Sequence, residues 1–203
     1  MGTLTANASR TERKKLETRQ KIIDAAMELI RTQGFDAVTM EQIADAADVA
    51  KGTLYNYFPA KEAILAAFIQ GRFQEKSAAR LREIRRLPGT RARLRLVYGE
   101  LLAGVRAQPE IFDRFLVYRT QNIISLHKSE AERGGIDPLA EEILRLGRQQ
   151  GEIRGDLPSP MLEDLFEFAF IELVKQFSLA PETFDAPRAI EWSIDLFLRG
   201  AQA

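Results

Sequence analysis

At 203 residues and 45% hydrophobic, the chain can bury one large core or two small ones. It has no cysteine and a single histidine, His127, which excludes disulfides, thiolate metal sites, a cysteine redox sensor, histidine triads and multi-histidine metal centres. The formal charge is zero but unevenly laid out: residues 1–65 carry nine basic and nine acidic side chains, residues 66–95 nine and two, and residues 96–203 eleven and eighteen.

Met1 to Ser9 is small and polar without periodicity and reads as disordered, part of a flexible basic arm over residues 1–15. A helix is predicted from Thr11 to about Gln33, with Leu16, Ile23, Ala26, Met27 and Ile30 at helical spacing. Gly34 stops it, and Phe35 supplies the hydrophobic contact typical beyond a glycine C-cap. Arg10, Arg13, Lys14, Lys15, Arg19 and Lys21 face only Glu12 and Glu17. Phosphate attraction is screened beyond about 8–10 Å, so such a local patch suffices for DNA whatever the net charge. A solvated helix face is the competing reading.

Residues Thr39 to Phe58, TMEQIADAADVAKGTLYNYF, predict two short helices joined by a tight turn. Thr39 can cap a helix over 40–47, and Gln42 stands three residues later, as a capping box requires. Ile43, Ala44, Ala47, Val49 and Leu54 form an apolar seam, while Lys51, Gly52, Thr53, Tyr55 and Asn56 form a polar, weakly cationic outer tip. A helix-turn-helix needs both, because its second helix must pack on one side and enter the major groove on the other.

Pro59 is expected in the first turn of a long helix over 59–86, with Ile64, Leu65, Phe68 and Ile69 followed by a strongly basic stretch. Pro88-Gly89 is the clearest breakpoint. Thr90–Gln108 reads as a helix with Leu94, Val97, Leu101, Leu102 and Val105 on one face. Pro109 opens another with Ile111, Phe112, Phe115, Leu116, Ile123 and Ile124. Residues 128–136, KSEAERGGI, read as a loop, and Asp137 is expected to cap a helix reaching Gln150. The segments 160–179 and 187–200 are apolar on nearly every face, which implies burial on two sides. A symmetric partner supplies the second side in one reading, and complete burial within a single body in the other. No run alternates like a strand, so the chain is all-α. No apolar run approaches the ~20 residues of a membrane span, and the polar N-terminus lacks a signal-peptide core, so a soluble cytoplasmic protein is expected.

Extended to Leu65, the segment TMEQIADAADVAKGTLYNYFPAKEAIL resembles the signature of TetR-type transcriptional regulators. The resemblance is close from Glu17 to Phe68 and extends beyond only in length and helical pattern. Asp48 stands where the family's turn glycine is usual, and Ala50 where a capping Ser or Thr is usual. Aspartate tolerates the left-handed turn, whereas Ala50 removes one hydroxyl from the phosphate contacts. The resemblance implies a three-helix helix-turn-helix head over 16–76, its motif at 39–58, joined by a long helix to a ligand-binding and dimerisation domain over 77–203, about nine helices in all. It also implies roles for single residues. Lys51 would meet a guanine edge or phosphate, Gly52 would admit the backbone to the groove, and Thr53 would touch a base or thymine methyl. Tyr55 and Tyr57, with Asn56 between them, would approach phosphates. Thr39 and Lys61 would fix register on the backbone, and Arg13 and Lys14 would add charge from the arm.

The body is expected to sense a small, largely apolar effector in a pocket drawn from Tyr98, Phe112, Phe115, Tyr118, Phe166, Phe170 and Trp192, although aromatics at helical spacing serve equally as core. Glu167 and Glu172 sit in an apolar run, where a carboxylate is costly unless paired or wet. Each reads either as an anchor for a cationic or hydroxylated ligand or as the partner of an arginine across an interface. Leu165, Ala169, Leu173, Phe177, Ile190, Ile194 and Phe197 are the expected homodimer contacts. The whole reads as a one-component repressor that binds a palindromic double-stranded DNA operator, with no cofactor and no metal. A constitutive DNA-binding or partner-recruiting protein is the rival. No acid/base pair, nucleophile motif or phosphate loop suggests an enzyme.

Overall fold

The structure, a computed structural model, describes residues 10–121 and 136–201. The polar N-terminal segment 1–9, Ile123, Ile124, His127 and all but the last residue of the expected loop 128–136 lie outside the described residues. Nine helices occur among those described, and no strand: α1 (Arg10–Gln33), α2 (Met40–Ala46), α3 (Lys51–Tyr57), α4 (Lys61–Arg86), α5 (Thr90–Ala107), α6 (Pro109–Gln121), α7 (Asp137–Gln149), α8 (Ser159–Leu179) and α9 (Ala186–Ala201). The chain forms two compact units, Met1–Ile69 and Gln70–Ala203, which part inside α4.

In the first unit, Ile22, Ile23, Ala26 and Ile30 of α1 pack with Val38, Ile43, Ala44, Ala47, Leu54, Phe58 and Ile64 into one core. The expected seam is therefore the core, with Val49 packed against its edge. Leu16 is the exception: it is 62% exposed, one and a half turns before the first buried residue of α1. Arg10 to Lys15 form the opening turns of α1, so Arg13 and Lys14 sit on a helix and not on an extended arm.

Helix ends follow the local chemistry. Thr39 Oγ1 accepts the Gln42 backbone N–H at 3.2 Å, and the Thr39 N–H donates to Gln42 Oε1 at 2.8 Å, closing the capping box. Gly34 takes φ +84° and donates to the Ile30 carbonyl at 2.9 Å. Asp48 takes φ +48°. Its N–H donates to Asp45 O and that of Val49 to Ala44 O, both at 3.0 Å, a Schellman ending built on aspartate. Ala50 makes no side-chain cap to α3. Two expected caps fall elsewhere. Pro59 lies two residues before α4, which starts at Lys61, and Asp137 is the first residue of α7 while Ile136 holds the cap position without a side-chain bond.

The second unit is built around α5, whose Leu94, Val97, Tyr98, Leu101, Leu102 and Val105 are all buried. Leu139, Ile143 and Leu144 of α7, the inner stripe of α8 (Leu162, Phe166, Phe170, Leu173, Val174, Phe177) and Ile190, Ile194 and Phe197 of α9 complete this core. Among the described residues no helix is long and apolar enough to cross a membrane.

Candidate nucleic-acid interface

Helix α3 has one buried residue, Leu54, which is fully enclosed; it fixes which face of the helix turns outward. Lys51, Gly52, Tyr55 and Asn56 are exposed, and Thr53 and Tyr57 are half-buried. Five of these six therefore share a surface as the sequence implied, and Tyr57 packs against the core edge. Phe58 is a core residue, with the Arg19 guanidinium 5.2 Å from its ring centre. Thr39, at the start of α2, is exposed and its hydroxyl is engaged in the capping box.

The head's cations are arranged in a way the sequence did not disclose. Lys51 Nζ pairs with Glu41 of α2, which raises the lysine's pKa and lowers that of the carboxylate, chiefly through the hydrogen bond they share. Lys21 of α1 reaches Asp48 in the turn at 3.4 Å. Lys61 departs from its expected place on DNA. Its ammonium donates to the carbonyls of Phe35 at 2.7 Å and Val38 at 3.0 Å, lies 4.5 Å from the Phe35 ring centre, and so ties α4 to the segment after α1. A lysine has three donors, and this one directs at least two of them to backbone oxygens.

The second unit corrects the expected pocket and interface sets. Tyr98, Phe112, Phe166 and Phe170 are buried core residues, Tyr98 and Phe166 stacking at a tilt 5.1 Å apart. The Tyr98 hydroxyl donates to the Phe166 carbonyl at 3.0 Å, and burial pushes its pKa up. Phe115 and Tyr118 are half-buried on α6. Glu167 is satisfied within the chain by a two-pronged pair with Arg119, at 2.7 and 2.8 Å, and Glu172 is exposed beside Lys175 and Gln176. Neither is a stranded buried carboxylate. Of the expected dimer contacts, Leu173, Phe177, Ile190, Ile194 and Phe197 fill the chain's own core, Ala169 is half-buried and Leu165 is exposed. The apolar surface left uncovered by α8 and α9 is Met161, Leu165, Phe168, Leu179, Trp192 and Leu196. A groove of about 520 Å³ includes Trp192 and Leu196 of this surface, with Glu172, Gln176, Phe184 and Arg188 among its other walls. Among the described residues no acidic, histidine or cysteine group is placed to hold a metal ion.

A capped helix, a tight turn and a second helix with an exposed polar tip define a helix-turn-helix protein. Residues 22–68 match the family described as bacterial regulatory proteins, tetR family. The HTH-type transcriptional repressor KstR of Mycobacterium tuberculosis is 44% identical over 62 residues, 30% of this chain and 28% of that protein. Its namesake from Mycolicibacterium smegmatis is 36% identical over 94 residues, 46% of each chain. These matched stretches thus span between a quarter and a half of the curated relatives' length. The fold extends further: the crystal structure of Thermus thermophilus FadR, a TetR family transcriptional repressor in complex with lauroyl-CoA, superposes with a TM-score of 0.71 and 28% identity, covering 91% of this chain and 95% of that one. The head over residues 22–68 is thus of the tetR family, and the chain shares the fold of a TetR family repressor over 91% of its length.

Proposed function

We propose that this protein is a ligand-responsive, one-component transcriptional regulator: a repressor that binds a palindromic operator as a homodimer and leaves it when a small, largely apolar effector binds. The observation that carries the reading is the exposure of Gly52, Tyr55 and Asn56, with Thr53 half-buried beside them, around a fully buried Leu54. A helix anchored by one side chain and otherwise offering short polar groups is suited to a groove of roughly 12 Å. The uncovered apolar strip of α8 and α9, with Trp192 56% and Leu196 74% exposed, supports pairing with a second copy, since such a strip in water is a liability unless covered. A twofold dimer would then set two recognition helices roughly 34–36 Å apart, one DNA turn. The lauroyl-CoA carried by the Thermus thermophilus relative makes acyl thioesters the first effector class to test. Coupling of about 1–3 kcal/mol between effector and operator would change affinity about 5–150-fold.

The rival, a constitutive DNA-binding protein, draws support from the seven aromatic side chains expected in the pocket, four of which (Tyr98, Phe112, Phe166 and Phe170) are buried in the core. Fluorescence anisotropy against a labelled palindrome library at two salt concentrations, with and without lauroyl-CoA, separates the readings. Selective, salt-sensitive binding that the acyl thioester weakens supports the switch. Selective binding indifferent to acyl thioesters and to a wider effector panel supports the rival, and sequence-blind binding removes both.

A further inference from the structure

We propose that Glu41 is a selectivity residue of the DNA-facing surface, holding the Lys51 ammonium and so withholding it from phosphates on non-specific DNA. The inference rests on the DNA-binding reading above. Lys51 is the lysine of the exposed α3 tip, beside Gly52, and its ammonium is bound to the Glu41 carboxylate of the preceding helix. The other head lysines with long-range partners are also occupied: Lys21 by Asp48, and Lys61 by the carbonyls of Phe35 and Val38. The first 65 residues carry no net charge. The basic patch lies on α1, and the helix-turn-helix segment 39–58 itself sets its single lysine, Lys51, against Glu41, Asp45 and Asp48, with no surplus cation of its own.

That arrangement has different consequences for the two kinds of complex. Non-specific affinity comes almost wholly from cations displacing counterions at phosphates. A lysine already neutralised by a carboxylate adds nothing to it until the pair breaks. On a matching site the same ammonium gains a directional contact to a base edge, which charge neutralisation does not erase. The pair is exposed on both sides, 59% for Lys51 and 53% for Glu41, so it is weak enough to open for such a contact. Glu41 thus removes a larger share of non-specific than of specific affinity.

The test measures the intact protein and E41Q against a labelled random-sequence duplex across a salt series, each also in a K51Q background. Circular dichroism verifies that the helices persist; Glu41 takes no part in the Thr39–Gln42 capping box. E41Q is expected to tighten random-duplex binding about two- to fivefold per head at low salt and to steepen the log–log salt slope by about 0.9 per head. In the K51Q background the same change is expected to do neither. On the selected palindrome the gain is expected to be smaller, so the ratio of specific to non-specific affinity falls. An equal gain in both backgrounds would mean that Glu41 repels phosphate directly, and no gain would mean that Lys51 is not withheld; either overturns the proposal. A wild-type protein that binds no duplex at all removes the DNA-binding reading and this inference with it.

Discussion

Arg93 is 1% exposed, and its guanidinium donates to Gln150 Oε1 at 2.7 Å, joining the first turn of α5 to the end of α7. The same group donates through Nε to the Ile84 carbonyl at 3.1 Å and through Nη2 to the Leu87 carbonyl at 2.8 Å. One buried cation therefore ties the last turn of α4, at Ile84, and the residue just past its end, Leu87, to α5; the Ile84 carbonyl also accepts the Leu87 N–H at 3.3 Å. Replacing it with methionine keeps the stem but takes the guanidinium donors from the Leu87 carbonyl and from Gln150 Oε1. R93M should lose about 1–3 kcal/mol in urea unfolding of the C-terminal unit, and R93K should recover only part of that because an ammonium cannot reproduce the planar fork. A loss under about 1 kcal/mol for R93M would show that water replaces the guanidinium.

Gly147 and Gly104 make opposite predictions from the same substitution. A Cβ at Gly147 would stand 2.5 Å from Ile153 Cγ1 and 2.7 Å from Thr90 Oγ1, both inside the core where neither can swing away. A Cβ at Gly104 would come no nearer than 4.0 Å to Phe112. G147A is expected to destabilise by about 1–3 kcal/mol through overpacking. G104A, in an exposed position of α5, is expected to stabilise by about 0.4–1 kcal/mol by restricting the unfolded chain. Thermal melts of the two variants should therefore move in opposite directions.

Glu142 provides the pH handle. Hydrogen bonds first from Arg145 and then from Arg85 hold its carboxyl near a pKa of about 2, against an ordinary 4.5. Because the folded value is the lower one, this stabilisation is complete above about pH 4.5 and disappears as pH falls towards 2. Both arginines are roughly half-exposed, so on the order of 2 kcal/mol is expected, less than the full shift implies. E142Q should be less stable than wild type at pH 6, and the difference should close between pH 4.5 and 2. A constant difference across that range would remove Glu142 from the acid response.

Tyr55 and Leu54 test the two faces of α3. Tyr55 is 43% exposed and Leu54 is fully buried. Y55A should weaken operator binding with helicity and melting temperature unchanged, whereas L54A should cost about 2–5 kcal/mol and lose binding through unfolding of the head. Unchanged operator affinity for Y55A would take that side chain off the interface.

What the sequence disclosed and what it hid divide along sequence distance. The Thr39–Gln42 box, the αL endings at Gly34 and Asp48 and the seam around Leu54 are made by residues within a few positions of one another, so local spacing was enough. The Lys61 ammonium, the Arg93 cluster and the Arg119–Glu167 pair bridge residues 23 to 57 positions apart, and no periodicity announces them. On α8 the sequence is apolar on nearly every face and does not say which face turns inward. Packing against α5 and α9 chose Phe166, Leu173 and Phe177, and that is why most of the expected dimer contacts proved to be core.

The Asp48 turn shows which of two effects holds α2 to α3. Aspartate pays for a φ of +48° with some backbone strain, and its carboxylate pairs with Lys21 at 3.4 Å. The pair is 53% and 95% exposed, a setting in which ion pairs contribute about 0.2–1 kcal/mol, the lower end for a contact as long and exposed as this one. The Schellman bonds from Asp48 and Val49 need the left-handed conformation, which costs a β-branched residue roughly 1–2 kcal/mol more than glycine. Backbone conformation should therefore dominate. D48N keeps a residue that tolerates the turn and deletes the charge, and should stay within about 0.5 kcal/mol of wild type in chemical denaturation. D48V should lose about 1–2 kcal/mol. D48G relieves the strain but adds unfolded-chain entropy and gives up the pair, so it should also fall within about 0.5 kcal/mol. If D48N proves as damaging as D48V, the Lys21 pair, and not the turn, is what fixes the angle between the two helices.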